Sequence, residues 1–501
     1  MLDDMKTVTP RALKIVLVML LTVLFLAHTN QASAQEMSGP EKDEILKRLS
    51  QLEKEIQSLK KENADLKAMV TAKDASSDAK QQSQASGDET KAIKKEPAET
   101  KNGRIEIGGQ IRFRPEVRNN ADLNSSISDL DDFTGQRIRL HIKAALSDNV
   151  YGFVQFQDSR LWGTEASVTS NEGNTDLHQA YIEVNRFLAD PLSLKVGRQE
   201  IGYGNERLIG TFGWDNIGRS FDSLKLIYGE KGWSADLFAA KVNDRRTARR
   251  GFGDQDFYGT YLKFLKDDPT YELETYLLYL RDGFNTSGEL LIKGVDSTSI
   301  VTFGARHAAR FPSGFYYDGE LALQSGSKGP DDHKALALAV KAGRTFDSVL
   351  SPRVGFEYDF ATGDKDPFDG KSGEFVNLFP TNHIYYGHMD YLGWRNMHAY
   401  RATFSFKPTS KLVFDTDYHR FYLHEERGRW TNALGAVFGF DPSGRSGTYL
   451  GQEVDFTLNF PYKEKIRFLG GYSCFLPGGF AKVTRGRDVS HFSYLQTLID
   501  F

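Results

Sequence analysis

The chain has 501 residues and a formal net charge of −4, with 26% charged residues, 12% aromatic residues and 46 glycines. So balanced a charge excludes a general nucleic-acid binder, and a mean hydropathy of −0.47 excludes a bundle of membrane helices. The only cysteine, Cys474, rules out an intrachain disulfide and any cysteine-built metal site. It reads simply as a small apolar residue in a strand.

Three segments precede the main body. Lys6, Arg11 and Lys14 lead into an apolar run, Ile15 to Ala27, interrupted only by Thr22. Ala32-Ser33-Ala34 then supplies small residues for cleavage before Gln35, so residues 1–34 read as a signal peptide. The run is too short to span a core of ~30 Å comfortably, which argues against a membrane anchor. Over 41–70, Ile45, Leu52, Leu59 and Leu66 interleave with Leu49, Ile56, Asn63 and Val70 at heptad spacing. This predicts a short α-helical coiled coil in the periplasm, a candidate for homo-oligomerisation, with Asn63 fixing register. Residues 71–103 are rich in Lys, Ala, Ser, Gln and Glu without apolar rhythm, and read as a flexible linker.

From Arg104 to the end the period is two. Ile105, Ile107, Ile111 and Phe113 alternate with Glu106, Gln110, Arg112 and Arg114, and Ile138, Leu140 and Ile142 with Arg137, Arg139, His141 and Lys143. Val354, Phe356, Tyr358 and Phe360 alternate with Arg353, Glu357 and Asp359 in the same way. A soluble sandwich also alternates; the connections separate the two. Short turns near Ser147-Asp148-Asn149, Ala189-Asp190-Pro191, Gly229-Glu230-Lys231, Asp267-Asp268-Pro269, Pro312-Ser313, Pro408-Thr409-Ser410 and Tyr462-Lys463-Glu464 take strict turns with longer connections. Those longer stretches are 118–132, 159–175, 203–218, 282–296, 361–395 and 425–447. That asymmetry predicts an all-β transmembrane barrel of about 18 antiparallel strands over 104–501, with tight periplasmic turns and long outer loops in the bacterial outer membrane. The closing Tyr494-Leu495-Gln496-Thr497-Leu498-Ile499-Asp500-Phe501, ending on an aromatic, resembles the signal read by the outer-membrane insertion machinery.

If the apolar phase faces lipid, Arg112, Arg114, Arg137, Arg139, His141 and Lys143 form a basic wall, with Arg467 of the seventeenth strand nearby. Acidic residues gather elsewhere: Asp318 and Glu320, Glu357 and Asp359, Asp415 and Asp417, Glu453 and Asp455. Opposed walls of this kind hold water and orient hydroxyl-rich solutes; the plainer reading is charges solvated in a wide pore or paired with one another. No nucleophile elbow, phosphate loop or metal-ligand spacing marks an enzyme, and no cofactor is implied. Asp364-Lys365-Asp366-Pro367-Phe368-Asp369-Gly370 spaces its carboxylates a little like a calcium loop but lacks the distal glutamate, and reads as an acidic solvated loop.

Two stretches carry a family resemblance. One is Val196-Gly197-Arg198-Gln199-Glu200-Ile201 with Tyr203-Gly204, Arg207-Leu208-Ile209-Gly210, Trp214 and Gly218-Arg219-Ser220-Phe221-Asp222. The other is Tyr358 to Asp364 with Leu378-Phe379-Pro380-Thr381, His383, Tyr385-Tyr386-Gly387 and Met389-Asp390. From Ile105 onward the chain resembles the alginate export family of outer-membrane barrels. The resemblance implies eighteen strands and passive export of a polyanionic polysaccharide through an arginine-rich constriction. It implies that Arg198, Arg219 and the basic wall contact carboxylates, with Glu200 and Asp222 orienting those arginines. Simple alternation puts Arg198 and Glu200 in phase with Leu194 and Val196, toward lipid, so either a bulge near Gly197 re-aims them or they lie above the bilayer. The alternatives are an oligomeric general or anion-selective porin and an envelope-tethering structural barrel.

Overall fold

The computed structural model describes residues 105–170, 173–244, 254–264, 270–283, 297–366 and 368–501. The signal peptide, coiled coil and linker expected before residue 104 lie outside the described residues. Eighteen strands form the barrel. They are β1 (Ile105–Asn119), β2 (Asp131–Ser147), β3 (Val150–Leu161), β4 (Thr175–Val184), β5 (Leu192–Gln199) and β6 (Phe221–Glu230). Next come β7 (Trp233–Asn243), β8 (Gln255–Phe264), β9 (Tyr271–Asp282), β10 (Thr298–Arg310), β11 (Phe315–Lys328) and β12 (Asp331–Thr345). The last six are β13 (Arg353–Ala361), β14 (Met397–Phe406), β15 (Val413–Leu423), β16 (Tyr449–Lys463), β17 (Ile466–Pro477) and β18 (Ser490–Asp500). Each pairs antiparallel with its chain neighbours, and β1 closes on β18 with Gln110 opposite Asp500 and Asn119 opposite His491.

Closure reaches the last residue. Phe501 and Gly109 exchange backbone hydrogen bonds of 2.9 and 3.0 Å. A side chain at Gly109 would collide with the Phe501 ring and the Arg139 carbonyl, so glycine is required where the terminal aromatic lies across β1.

The barrel inverts the distribution of a soluble protein. Ile107, Leu140, Ile142, Phe356, Phe404 and Leu458 are exposed on the outside, while Arg112, Arg137, Glu357, Asp359, Glu453 and Asp455 are buried within. That sorting is stable only with hydrocarbon outside. The alternation of short and long connections has one exception, because β11 and β12 are joined at the long-loop end by Gly329-Pro330 alone. Gly329 takes a left-handed φ of 61° there, and Pro330 sits where a tight hairpin needs no donor.

Candidate functional site: the loop-filled lumen

Two of the long connections, 200–220 and 362–396, fold into the barrel and pair with each other. Ile209 and Phe379 form a parallel bridge, Gly210 N–H donates to the Phe379 carbonyl (2.7 Å), and Phe379 N–H donates to the Leu208 carbonyl (2.9 Å). Arg219 fastens the pair by donating to the carbonyls of Gly210 (2.8 Å), Pro380 (3.1 Å) and Phe379. Tyr385 donates its hydroxyl to the Asn205 carbonyl across the same seam. Apolar and aromatic side chains of both segments, including Leu208, Ile209, Phe375, Tyr386 and Trp394, are buried in one cluster with inward residues of the strands.

The first loop spans the lumen from wall to wall. On one side its backbone lies on the basic wall. Arg112 donates to the carbonyls of Gly213 (3.1 Å), Trp214 (3.0 Å) and Asp215 (2.9 Å), and Arg137 to those of Gly213 (3.1 Å) and Asp215 (3.0 Å). Arg114 donates to the Trp214 carbonyl (2.7 Å), stacks on that indole at 4.0 Å and pairs with Glu116 at 2.6 Å. Arg139 reaches Glu200 (3.2 Å), Gln157 (2.7 Å) and the Ile217 carbonyl (3.2 Å). Lys143 lies nearer the short-turn end, exposed, over the Tyr151 ring at 5.4 Å.

On the opposite side Arg207 enters the acidic wall. It pairs with Glu357 at 2.6 Å and Asp359 at 3.2 Å, is buried at 3% exposure, and stacks on Tyr385 at 3.8 Å. Lys341 (3.8 Å) and Arg401 (3.5 Å) also approach Glu357, and Arg401 pairs with Asp417 at 2.6 Å. Asp415 meets Arg353 at 3.0 Å, and Arg306 bridges Glu272, Glu274 and Asp318. The carboxylates of this wall are mostly neutralised by inward cations that a pattern search for basic clusters passes over, because each stands singly on its strand.

The second loop reaches the remaining wall. Met389 N–H donates to Glu453 (2.8 Å), and Gly387 packs where any side chain would strike that carboxylate. His383 stacks on Trp214 at 4.0 Å and on His388 at 4.7 Å, tying the loops together between Asp390 and Tyr494.

Of the expected site residues around the end of β5, one enters the lumen and two do not. Glu200 follows the last residue of β5, so the strand's alternation no longer binds it; it turns inward to His178 (2.8 Å) and Arg139. Arg198 and Asp222 keep the outward phase and pair with each other at 3.3 Å, away from the lumen. They belong to a cross-strand row of alternating sign, Arg198, Asp222, Lys241, Asp256 and Arg281, at the long-loop ends of β5 to β9. A row of that kind is tolerated outside a barrel only above the hydrocarbon, which is the physical reason these two residues escape the lipid-facing rule. Arg219 binds carbonyls rather than carboxylates. Arg467 stays at the short-turn end, 4.0 Å from Asp500. Asp366 and Asp369 accept the backbone N–H groups of Phe368 (3.1 Å) and Lys371 (2.9 Å), capping their own loop.

A closed barrel with an apolar exterior, a charged interior and loops folded into the lumen defines a porin-type outer-membrane channel. Residues 104–494 match the family model for alginate export, and the chain belongs to the alginate export family. It is an outer-membrane channel for a hydrophilic solute. The fold is shared with Pseudomonas aeruginosa OpdL (10% identity, 79% of this chain and 98% of that one, TM-score 0.51). It is shared also with OprD of the same organism (11% identity, 81% and 96%, TM-score 0.50). The structure of OpdK with vanillate is similar to the same degree (8% identity, 79% and 98%, TM-score 0.50). No match was found among curated proteins.

Proposed function

We propose that this channel passes an anionic polysaccharide or oligosaccharide, and that the carbonyls of 213–217 occupy the basic wall until the solute's carboxylates replace them. One observation carries the reading. Arg112 and Arg137 are buried, yet neither has a carboxylate within ion-pair distance among the described residues; their guanidinium forks hold only carbonyl and amide oxygens. A guanidinium prefers a carboxylate to a carbonyl, because the carboxylate carries the opposite charge and accepts two parallel hydrogen bonds from the planar fork. Two such groups on adjacent strands, paired directly across β1 and β2, offer a travelling polyanion exchangeable contacts rather than one trap. Arg114, Arg139 and Lys143 extend the same wall, while Glu357, Asp359, Asp415 and Asp417 on the opposite side are already paired with cations and offer the solute's carboxylates little attraction. In this reading residues 41–70 join copies of the chain in the periplasm.

Planar-bilayer recordings test this. The expected result is a low, anion-selective conductance blocked by uronate oligomers, with selectivity falling when Arg112 and Arg137 are both replaced by Gln. A large conductance indifferent to uronates, or an unchanged reversal potential in the double variant under a salt gradient, would overturn it.

A further inference from the structure

The outward face of β13 to β16 is mostly apolar or aromatic, with Phe356 and Tyr358, Tyr400 and Phe404, Phe414 and Tyr418, Val454 and Phe456, and its polar members His398, Arg420 and Gln452 lie toward the long-loop end. Arg420 on β15 is the one fully charged side chain on that phase among the described residues of β14 and β15 and the outer half of β16. Three residues from the long-loop end of its strand, it lines an outward-facing cavity of about 540 Å³ with His398, Tyr400, Tyr422, Leu423, His424 and Thr448.

The charged row on the far side of the barrel shows how this protein ordinarily treats outward cations at that height, with an opposite charge directly across each strand boundary. Arg420 has none. Its cross-strand neighbours are Tyr400 and Gln452. Gln452 accepts from Tyr418 (2.7 Å), and Arg420 itself lies over the rings of Tyr449 (5.2 Å) and Tyr422 (5.8 Å). The cavity's other polar groups are already engaged: His398 bonds Tyr358 (2.9 Å) and His424 (3.2 Å), and His424 faces Glu425 at 3.4 Å. A guanidinium facing lipid near the outer interface costs little in itself, and with no carboxylate opposite it on the neighbouring strands it keeps its donors open to an anionic headgroup. The aromatic floor beneath it suits an acyl chain and a sugar face.

We infer that this cavity holds the phosphate of a phosphorylated glycolipid of the outer leaflet, with Arg420 as its ligand and the rings of Tyr400, Tyr422 and Tyr449 as its seat. The inference depends on the barrel lying in the outer membrane, not on the solute it conducts.

The full chain, purified in detergent, is titrated with diphosphoryl lipid A, with the same lipid after dephosphorylation, and with inorganic phosphate, and bound mass is followed by native mass spectrometry. The expected result is retention of the phosphorylated lipid alone. Arg420→Gln should weaken it by about tenfold, the value of one charged hydrogen bond, while Arg281→Gln leaves it unchanged. Equal retention of the dephosphorylated lipid, saturation by inorganic phosphate, or an unchanged affinity in Arg420→Gln would overturn the site. So would a dimer that Arg420→Gln dissociates, since that would make the face a contact between copies. Channel recordings on the same variant separate this site from the conduction reading, because Arg420 lies outside the lumen and its replacement should leave conductance as it was.

Discussion

Arg207 ties the first infolded loop to the acidic wall through several contacts at once. It stands on a loop, yet it is buried between two carboxylates of β13, donates to the Tyr386 hydroxyl at 2.8 Å and lies over three aromatic rings. Removing one partner of a buried ion pair leaves the other charge stranded, at a cost of ~3–5 kcal/mol. In Arg207→Met that cost falls on the docked position of 200–220, since Lys341 and Arg401 still serve Glu357 while Asp359 loses its only ion-pair partner among the described residues. We expect larger and noisier single-channel currents and faster proteolysis within the loop, with the barrel intact. Adding Asp359→Asn should restore part of the quiet state, because the two changes share one interaction. Currents identical to the parent protein would show that the loop is held by its apolar packing alone.

At the scale of elements, strands and loops follow different rules, and that decides what can be read from the chain. A strand in a barrel wall sorts its side chains by a two-residue rhythm that water and hydrocarbon enforce from opposite sides, so Arg112, Arg137, Glu357 and Asp417 could be placed inward from their neighbours alone. The infolded loops have no such rhythm. Their paths depend on pairings such as Ile209 with Phe379, far apart in the chain, and on carbonyls that meet Arg112 and Arg137 only after the barrel has closed. Arg207 and Arg219 were visible as residues of a recognisable stretch, but nothing local assigns them to Glu357 or to the Phe379 carbonyl. Arg198 looked like a pore residue through the same resemblance, whereas its phase with Val196 pointed correctly outward.

The second loop also carries a titrating group. Burial pulls the His388 imidazole from its ordinary 6.5 down to about 4, with the neighbouring His383 adding to the effect and Asp455 opposing it. A released loop therefore binds more protons than the docked one between those two values, and docking weakens as pH falls through that window. Conductance should rise as the bath is taken from neutral to about pH 4. His388→Gln should flatten the part of that rise that this ring contributes. A rise of equal size in the variant would assign the response to other groups.

For the whole molecule, the terms that hold a soluble domain together change places. Apolar burial is supplied by lipid around Ile107, Leu140, Phe356 and Leu458, while the interior is held by ion pairs, carbonyl-bound guanidiniums and loop aromatics. Such a wall has no free edge once β18 meets β1, and that seam joins the two strands farthest apart in the chain, the pairing with the longest loop to close. Phe501 stands at that seam. Its two backbone bonds to Gly109 and its ring, about half exposed, together contribute roughly 2–3 kcal/mol to closure. Deleting Phe501, or replacing Gly109 by Val to push the ring aside, should therefore lower the yield of heat-modifiable, compact barrel on gels. Molecules that do close should conduct like the parent, because neither residue touches the loops or the basic wall's guanidiniums. If the shortened chain assembled at the parental rate but conducted differently, the terminal aromatic would be shaping the lumen rather than sealing the wall.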